Sequence, residues 1–176
     1  VTTHKGRRDT AILALLAVCG LRRSEVCSLN WSHITELDGH KVIQNLSGKH
    51  GRVRTVKLPP ALWRRIVEWG ERAGLDQGPG APVFVAVRKG DQVQPGQRLT
   101  PGAIAYLVEA YSRAIRPVMP HDLRRTAASL SRKAGASIEQ VQALLGHASP
   151  QTTSSYIGES LDLDDNAVDY GKAVIP

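Results

Sequence analysis

The chain opens polar and then turns abruptly apolar: Ala11–Cys19 is an unbroken apolar run of nine residues. Asp9 and Thr10 are both good N-cap types and Gly20 is a natural stop, so the pattern predicts a helix over Ala11–Val18. Being apolar nearly all round, that helix is expected to be buried. Ser24 caps a short second helix, Glu25–Leu29. From Trp31 the period changes to short β-rich runs. His33–Leu37 and Lys41–Leu46 flank Asp38-Gly39, a strong hairpin signal. A second turn, Ser47–Gly51, leads into a strand over Arg52–Leu58, in which Arg54, Val56 and Leu58 share one face. That strand reads as a cationic edge, exposed on one side.

Pro59-Pro60 ends the sheet. Ala61–Ala73 is amphipathic, with Leu62, Ile66 and Trp69 on one side. A Gly/Pro-rich loop, Gly74–Pro82, precedes the brief apolar run Val83–Val87, whose state the pattern leaves open. Polar Arg88–Arg98 reads as loop. Thr100 caps a helix from Pro101, with Ile104, Leu107, Val108, Tyr111 and Ile115 on its inner face. A further helix, Asp122–Ala134, follows Pro120 and stops at Gly135. Ser137 and Gln140 form a capping box for Ile138–Leu145, which Gly146 closes. Ser149-Pro150 opens a last short helix, with Tyr156 at or just past its end. The result is an α+β domain, mainly α-helical, with a small three-stranded antiparallel sheet near its front.

Composition narrows the class. With 41% hydrophobic and 22% charged residues among 176, the chain can bury a core and is too apolar for disorder. The nine-residue run is too short to span a bilayer, and no secretory signal pattern is present. Two cysteines, Cys19 and Cys27, make no disulfide framework, and no Cys/His cluster has zinc spacing. Reduced thiols and a cytoplasmic, nucleoid-associated location are expected.

Charge changes the picture more. The net charge is +7, yet after Tyr156 five acidic residues face Lys172 alone. Residues 1–156 therefore carry 22 positive and 11 negative charges, a net of +11. Arginine supplies 16 of the 23 cations, and its planar fork suits phosphate. A polyanion partner is implied, most simply nucleic acid.

Taken singly, the polar candidates read as ordinary surface. His121 and Arg124 share a helix face at i, i+3. His147 follows a helix-ending glycine, where the helix dipole favours cations. Arg22-Arg23 beside Glu25 reads as an exposed ion-pair cluster, Lys49 as a turn residue, and Tyr156 as a packed aromatic. Their joint order is different in kind. Gly20-Leu21-Arg22 with Ser24-Glu25, then Gly48-Lys49 with Arg52 and Arg54, precede His121-Asp122-Leu123-Arg124-Arg125. Leu145-Gly146-His147 follows, with Tyr156 nine residues beyond that histidine. Six positions agreeing in type, order and spacing over residues 10–160 resemble the catalytic domain of the tyrosine recombinases, the phage integrase family.

The resemblance implies a tyrosine recombinase catalytic fold and a chemistry that suits these residue types. A phosphodiester repels nucleophiles through its anionic oxygens and has a poor alkoxide leaving group. Arg22 and Arg124 would hold the non-bridging oxygens and stabilise charge growing in the transition state. Tyr156 would attack phosphorus, giving a covalent 3′-phosphotyrosine and a free 5′ hydroxyl. By the same resemblance His121 assists as general base or phosphate donor, Lys49 protonates the leaving oxygen, and His147 hydrogen-bonds a phosphate oxygen. Glu25 would buttress the arginines. Arg23, Arg52, Arg54 and Arg125 are candidates for contacts to the DNA backbone. The scheme uses no cofactor, metal or ATP.

The resemblance also sets expectations for organisation and partners. Residues 1–159 would be the catalytic domain. Residues 160–176 would be a tail packed either in cis or on a neighbouring protomer. The chain opens on Val1, and the family's N-terminal DNA-clamping domain finds no room in 176 residues, so a larger parent is expected. The expected partner is a double-stranded DNA recombination site bound by a homotetramer, with no membrane involved. Competing readings are DNA relaxation of the type IB topoisomerase kind and a non-catalytic DNA-binding regulator. The hairpin lysine and short Gly-His to Tyr spacing favour the recombinase.

Overall fold

The computed structural model describes residues 2–47, 53–147 and Thr153. Its first helix, α1 (His4–Ala17), starts seven residues before the apolar run. Thr3 is the true cap, its hydroxyl accepting from the Gly6 amide at 3.1 Å. Asp91, from a distant hairpin turn, accepts from the His4 and Lys5 amides at 2.7 and 2.8 Å. These bonds satisfy N–H groups that a helix start leaves unpaired. Asp9 is not a cap but a fully buried carboxylate. It accepts from the Arg8 guanidinium at 2.7 and 2.9 Å and from the Lys5 ammonium at 2.7 Å. Arg8 also reaches the Val85 carbonyl at 3.1 Å. A cap-type side chain thus misled the sequence reading because its partners lie inside the helix and across the core.

Helix α2 (Arg23–Ser28) and a one-turn helix at Trp31–His33 lead into strands β1 (Ile34–Leu37), β2 (His40–Ser47) and β3 (Val53–Lys57). They form one antiparallel sheet in the order β1-β2-β3, with the Asp38-Gly39 turn as expected. Between Ile43 and Leu46 the register against β3 slips by one residue, and Asn45 takes a left-handed φ of 57°. This bulge lets two residues three apart, Ile43 and Leu46, both enter the core, which strict alternation forbids. On β3, Val53, Thr55 and Lys57 are exposed while Arg54 and Val56 are buried. The strand is therefore open on one side, as expected, but Arg54 is on the closed one.

Helix α3 (Pro60–Arg72) buries Leu62, Ile66 and Trp69, and the Trp69 indole N–H donates to the Val83 carbonyl at 2.8 Å. The run left open, Val83–Val87, supplies most of β4 (Val85–Arg88), and the stretch read as loop, Arg88–Arg98, instead turns back as β5 (Gln92–Arg98) to complete a hairpin. Its second strand is almost wholly solvated, so no apolar alternation announced it. Helix α4 (Pro101–Ser112) buries Ile104, Leu107 and Val108 as expected. Tyr111 and Ile115 do not join that face: Tyr111 lies beneath the Lys5 ammonium, and Ile115, past the helix end, is 89% exposed.

Helices α5 (Pro120–Lys133) and α6 (Ile138–Leu145) follow. Asp122 caps α5 by accepting from the Met119 amide at 2.9 Å, which moves its start back to Pro120. The α6 capping box forms as read: Ser137 N–H to Gln140 Oε1 at 2.8 Å and Gln140 N–H to Ser137 Oγ at 3.2 Å. The main core joins α1, α2, the three-stranded sheet, α3, β4 and α4, and a smaller cluster of Ala128, Val141 and Leu145 seats α6 on α5. The described fold is thus α+β and mainly helical, with one hairpin more than expected. None of its helices is long and apolar enough to cross a membrane.

Removing one partner of a buried ion pair leaves the other desolvated and uncompensated. Asp9→Ala is therefore expected to lower stability by roughly 3–5 kcal/mol in denaturant unfolding. A loss like that of a surface substitution would show that solvent screens the Arg8–Asp9 pair.

Candidate active site around a cationic cavity

The site begins where α1 ends. Gly20 takes φ +60°, and a side chain there would meet Leu145 Cδ2 at 3.2 Å, so glycine serves both the turn and the close approach of α6. Leu21 is buried, and Arg22 becomes the N-cap of α2. Glu25, one turn on, folds back. Its Oε2 accepts from the Arg22 amide at 2.6 Å and its Oε1 from the Arg22 guanidinium at 2.9 Å. Arg54 completes the group from β3, donating Nη1–H to Oε1 at 2.6 Å and Nη2–H to Oε2 at 2.8 Å. Burial pushes the Glu25 carboxyl up. The Arg54 hydrogen bonds, the Arg22 amide and both guanidinium charges outweigh that and hold it below the usual carboxylate range.

Arg124 enters from α5. Only 2% exposed, it donates from Nη1 to the Gly20 carbonyl and from Nη2 to the Leu145 carbonyl. One guanidinium thus pins the turns that precede Arg22 and His147. Arg22, Arg23, Pro120, His121 and Arg124 line a common cavity of about 470 Å³.

His147 is reached through Gly146, left-handed at φ +63°, which closes α6. The Gly146 and His147 amides donate to the Ala143 and Gln142 carbonyls, both at 3.2 Å, and the Gln142 side chain donates to the His147 carbonyl at 3.1 Å. Nδ1 of His147 lies 3.1 Å from Oγ1 of buried Thr153. His147 lines a different hollow, with Arg54 and Gly146, that among the described residues shares no wall with the Arg22–Arg124 cavity. Burial, then the positive charges of Arg124, Arg22, Arg54 and His121, press its pKa down to about 4. The histidine is therefore neutral near pH 7. The direction of the Nδ1–Thr153 bond follows the tautomer: if Nδ1 accepts from the Thr153 hydroxyl, Nε2 carries the proton and can donate.

Five sequence-designated residues are thus brought together: Arg22, Glu25, His121, Arg124 and His147. Arg23 lines the same cavity. Arg125, exposed on α5, faces a separate hollow with Arg116 and Lys133. Arg54, read as a phosphate contact or plain surface, is instead buried on Glu25. Its sequence signal was its parity with Val56 and Leu58, which put it on the core face. Nothing in the sequence marked Thr153 or Gln142. Lys49, Arg52 and Tyr156 lie outside the described residues. Among those described, no three His, Cys, Asp or Glu side chains form a metal-binding group. Cys19, ahead of Gly20, is buried, and burial lifts its thiol to about 12, which leaves it unreactive.

Residues 2–161 match the family model described as the phage integrase family. The chain is 32% identical to tyrosine recombinase XerC of Corynebacterium glutamicum over 152 residues, covering 85% of this chain and 46% of that protein. It is 35% identical to XerC of Pelobacter propionicus over 160 residues, covering 89% and 49%. The chain therefore spans about half the length of the curated relatives it matches. Among solved structures, XerA recombinase shares the fold with a TM-score of 0.73 at 24% identity, covering 97% of this chain and 58% of that one. XerH recombinase bound to palindromic difH substrate in a post-cleavage complex gives 0.71 at 21%, covering 99% and 48%. With a matched family model across nearly its whole length and these relatives, the chain belongs to the phage integrase family.

Proposed function

We propose that this chain is the catalytic domain of a site-specific DNA recombinase that cuts and rejoins strands through a 3′-phosphotyrosine at Tyr156. The observation that carries the reading is the convergence of Arg22, His121 and Arg124 on one cavity, with Arg22 already held by buried Glu25. Two guanidiniums fixed before substrate arrives need little reorganisation when charge grows on the non-bridging oxygens.

In the proposed step Oη of Tyr156 attacks phosphorus and the bond from phosphorus to the 5′ oxygen breaks. The phenol proton passes to His121, and Lys49 protonates the departing 5′ oxygen. His147 donates from Nε2 to a phosphate oxygen. Because the phosphotyrosine keeps the energy of the broken ester, a new 5′ hydroxyl reverses the step on another strand. The net charge of +11 on residues 1–156 supports a duplex DNA partner held largely through phosphates. Residues 1–159 form the catalytic unit of this reading, with 160–176 a tail that packs in cis or on a neighbouring protomer of a DNA-bound homotetramer.

The full-length protein is expected to form a covalent adduct on nicked suicide DNA, seen on denaturing gels. Tyr156→Phe should abolish the adduct while DNA affinity survives, and Arg22→Ala should slow its formation by about 10²–10³-fold. An undiminished adduct with Tyr156→Phe overturns the nucleophile. Relaxation of supercoiled plasmid lacking a recombination site would mark a topoisomerase instead.

His147 supplies a separate check. Its folded value, about 4, lies below the roughly 6.5 of an unfolded histidine, so the unfolded chain binds the extra proton between them. Its contribution to stability is then complete above about pH 6.5 and is lost as pH falls toward 4. In NMR titration His147 should titrate near 4 in the free protein and higher on DNA, where phosphate opposes the neighbouring cations. An unchanged value on DNA would place the phosphate elsewhere.

A further inference from the structure

Arg54 has too many partners for a residue whose task is to meet solvent or DNA. Its side chain is 7% exposed, and its guanidinium lies in parallel on both oxygens of Glu25, the bidentate geometry that fixes a carboxylate in position and plane. Its Nε–H donates to the Leu144 carbonyl at 2.9 Å, in the last turn of α6. Its stem runs under Gly146, where even a methyl group would sit 3.0 Å from Cδ. One side chain on β3 therefore grips the carboxylate that holds Arg22 and the helix end that presents His147.

We propose that Arg54 is a positioning residue that couples the Arg22 side of the site to the His147 side, acting through Glu25 and the end of α6 rather than by touching DNA. The inference rests on the recombinase reading for its catalytic consequence. Its structural content stands apart from that reading. Glu25 cannot orient Arg22 unless its own plane is held, and Arg54 supplies that hold by bonding the same two oxygens that accept from Arg22. A lysine keeps the charge at this position but, as a single point donor, cannot span Oε1, Oε2 and the Leu144 carbonyl together.

The test compares Arg54→Lys, Glu25→Gln and the double variant in the full-length protein, measuring single-turnover cleavage at saturating DNA and DNA affinity separately. Arg54→Lys should slow cleavage by about 10- to 100-fold, since misplacing a reacting group by an ångström can cost about 10²-fold. Its Kd for DNA should stay within about threefold. Because both changes act on one tie, the double variant should be little slower than the slower single one. A weaker Kd with a salt slope smaller by about one, and normal cleavage at saturation, would instead make Arg54 a phosphate contact. Multiplicative losses in the double variant would overturn the tie, as would normal cleavage and affinity in Arg54→Lys. If the lysine form does not fold, Arg54→Met keeps the stem beside Gly146 and is judged by the same criteria. Amide exchange at Arg22, whose N–H donates to Glu25, is read without DNA and should accelerate in each Arg54 variant. Accelerated exchange in a protein whose wild type forms no adduct would sustain the tie and remove the recombinase reading. Unaltered exchange would remove the tie whatever the chemistry.

Discussion

The site depends on a cation placed where water does not reach. Arg124 is buried, and two nitrogens of its guanidinium donate to the carbonyls of Gly20 and Leu145, residues 125 positions apart in the chain, while the side chain still lines the cavity. The Leu145 carbonyl belongs to the end of α6, where the last backbone acceptors lack partners within the helix and carry partial negative charge, and the Gly20 carbonyl to the turn between α1 and α2. A buried guanidinium needs acceptors and a helix end needs donors, so each resolves the other's deficit. The geometric consequence is functional. Arg22 stands two residues after one carbonyl and His147 two residues after the other, so their spacing is set by the width of one guanidinium.

Close approach is what makes this bracket possible. Gly20 and Gly146 both take left-handed backbone, and both sit where a side chain would press tightly on a neighbour, the first on Leu145 and the second on Arg54. An alanine at either position would have to adopt an unfavoured φ and also push away a group that holds the site together. The glycines of the Gly-Leu-Arg and Leu-Gly-His stretches are thus explained by packing before any appeal to chemistry.

How far the sequence could be read follows from the range of the interactions involved. Elements governed by neighbours in the chain were legible: the α6 capping box, the Asp38-Gly39 turn and the amphipathic face of α3 all stand as the pattern predicts. Those governed by distant partners were not. At the start of α1 the local cap Thr3 is joined by Asp91, far along the chain, and Asp9 looks like a cap only until Arg8 and Lys5 turn inward to meet it. The β4–β5 hairpin lacks an apolar face, so periodicity had nothing to report. Within the site, residue types in order pointed to Arg22, Glu25, His121, Arg124 and His147. Spacing could not distinguish an arginine that offers its charge to a ligand from one that spends it inside the protein. Arg54 is the second kind, and only its parity on β3 hinted at it.

That distinction bears on why a carboxylate lies in a site shaped for an anion. Burial first, and then the positive charges of Arg124, Arg22 and Arg54, hold the His147 pKa down to about 4. Held so close without compensation, such cations repel one another and destabilise the fold. Glu25 offsets part of that repulsion from the buried side, bonding Arg54 fully and Arg22 through one terminal nitrogen, while the Arg22 side chain keeps 31% of its surface exposed. A carboxylate on the open side would relieve more repulsion, but it would also oppose an incoming phosphate. Placed behind the arginines, it stabilises the empty site and leaves the cavity electropositive. The remaining imbalance is one that the proposed phosphate ligand would correct on arrival.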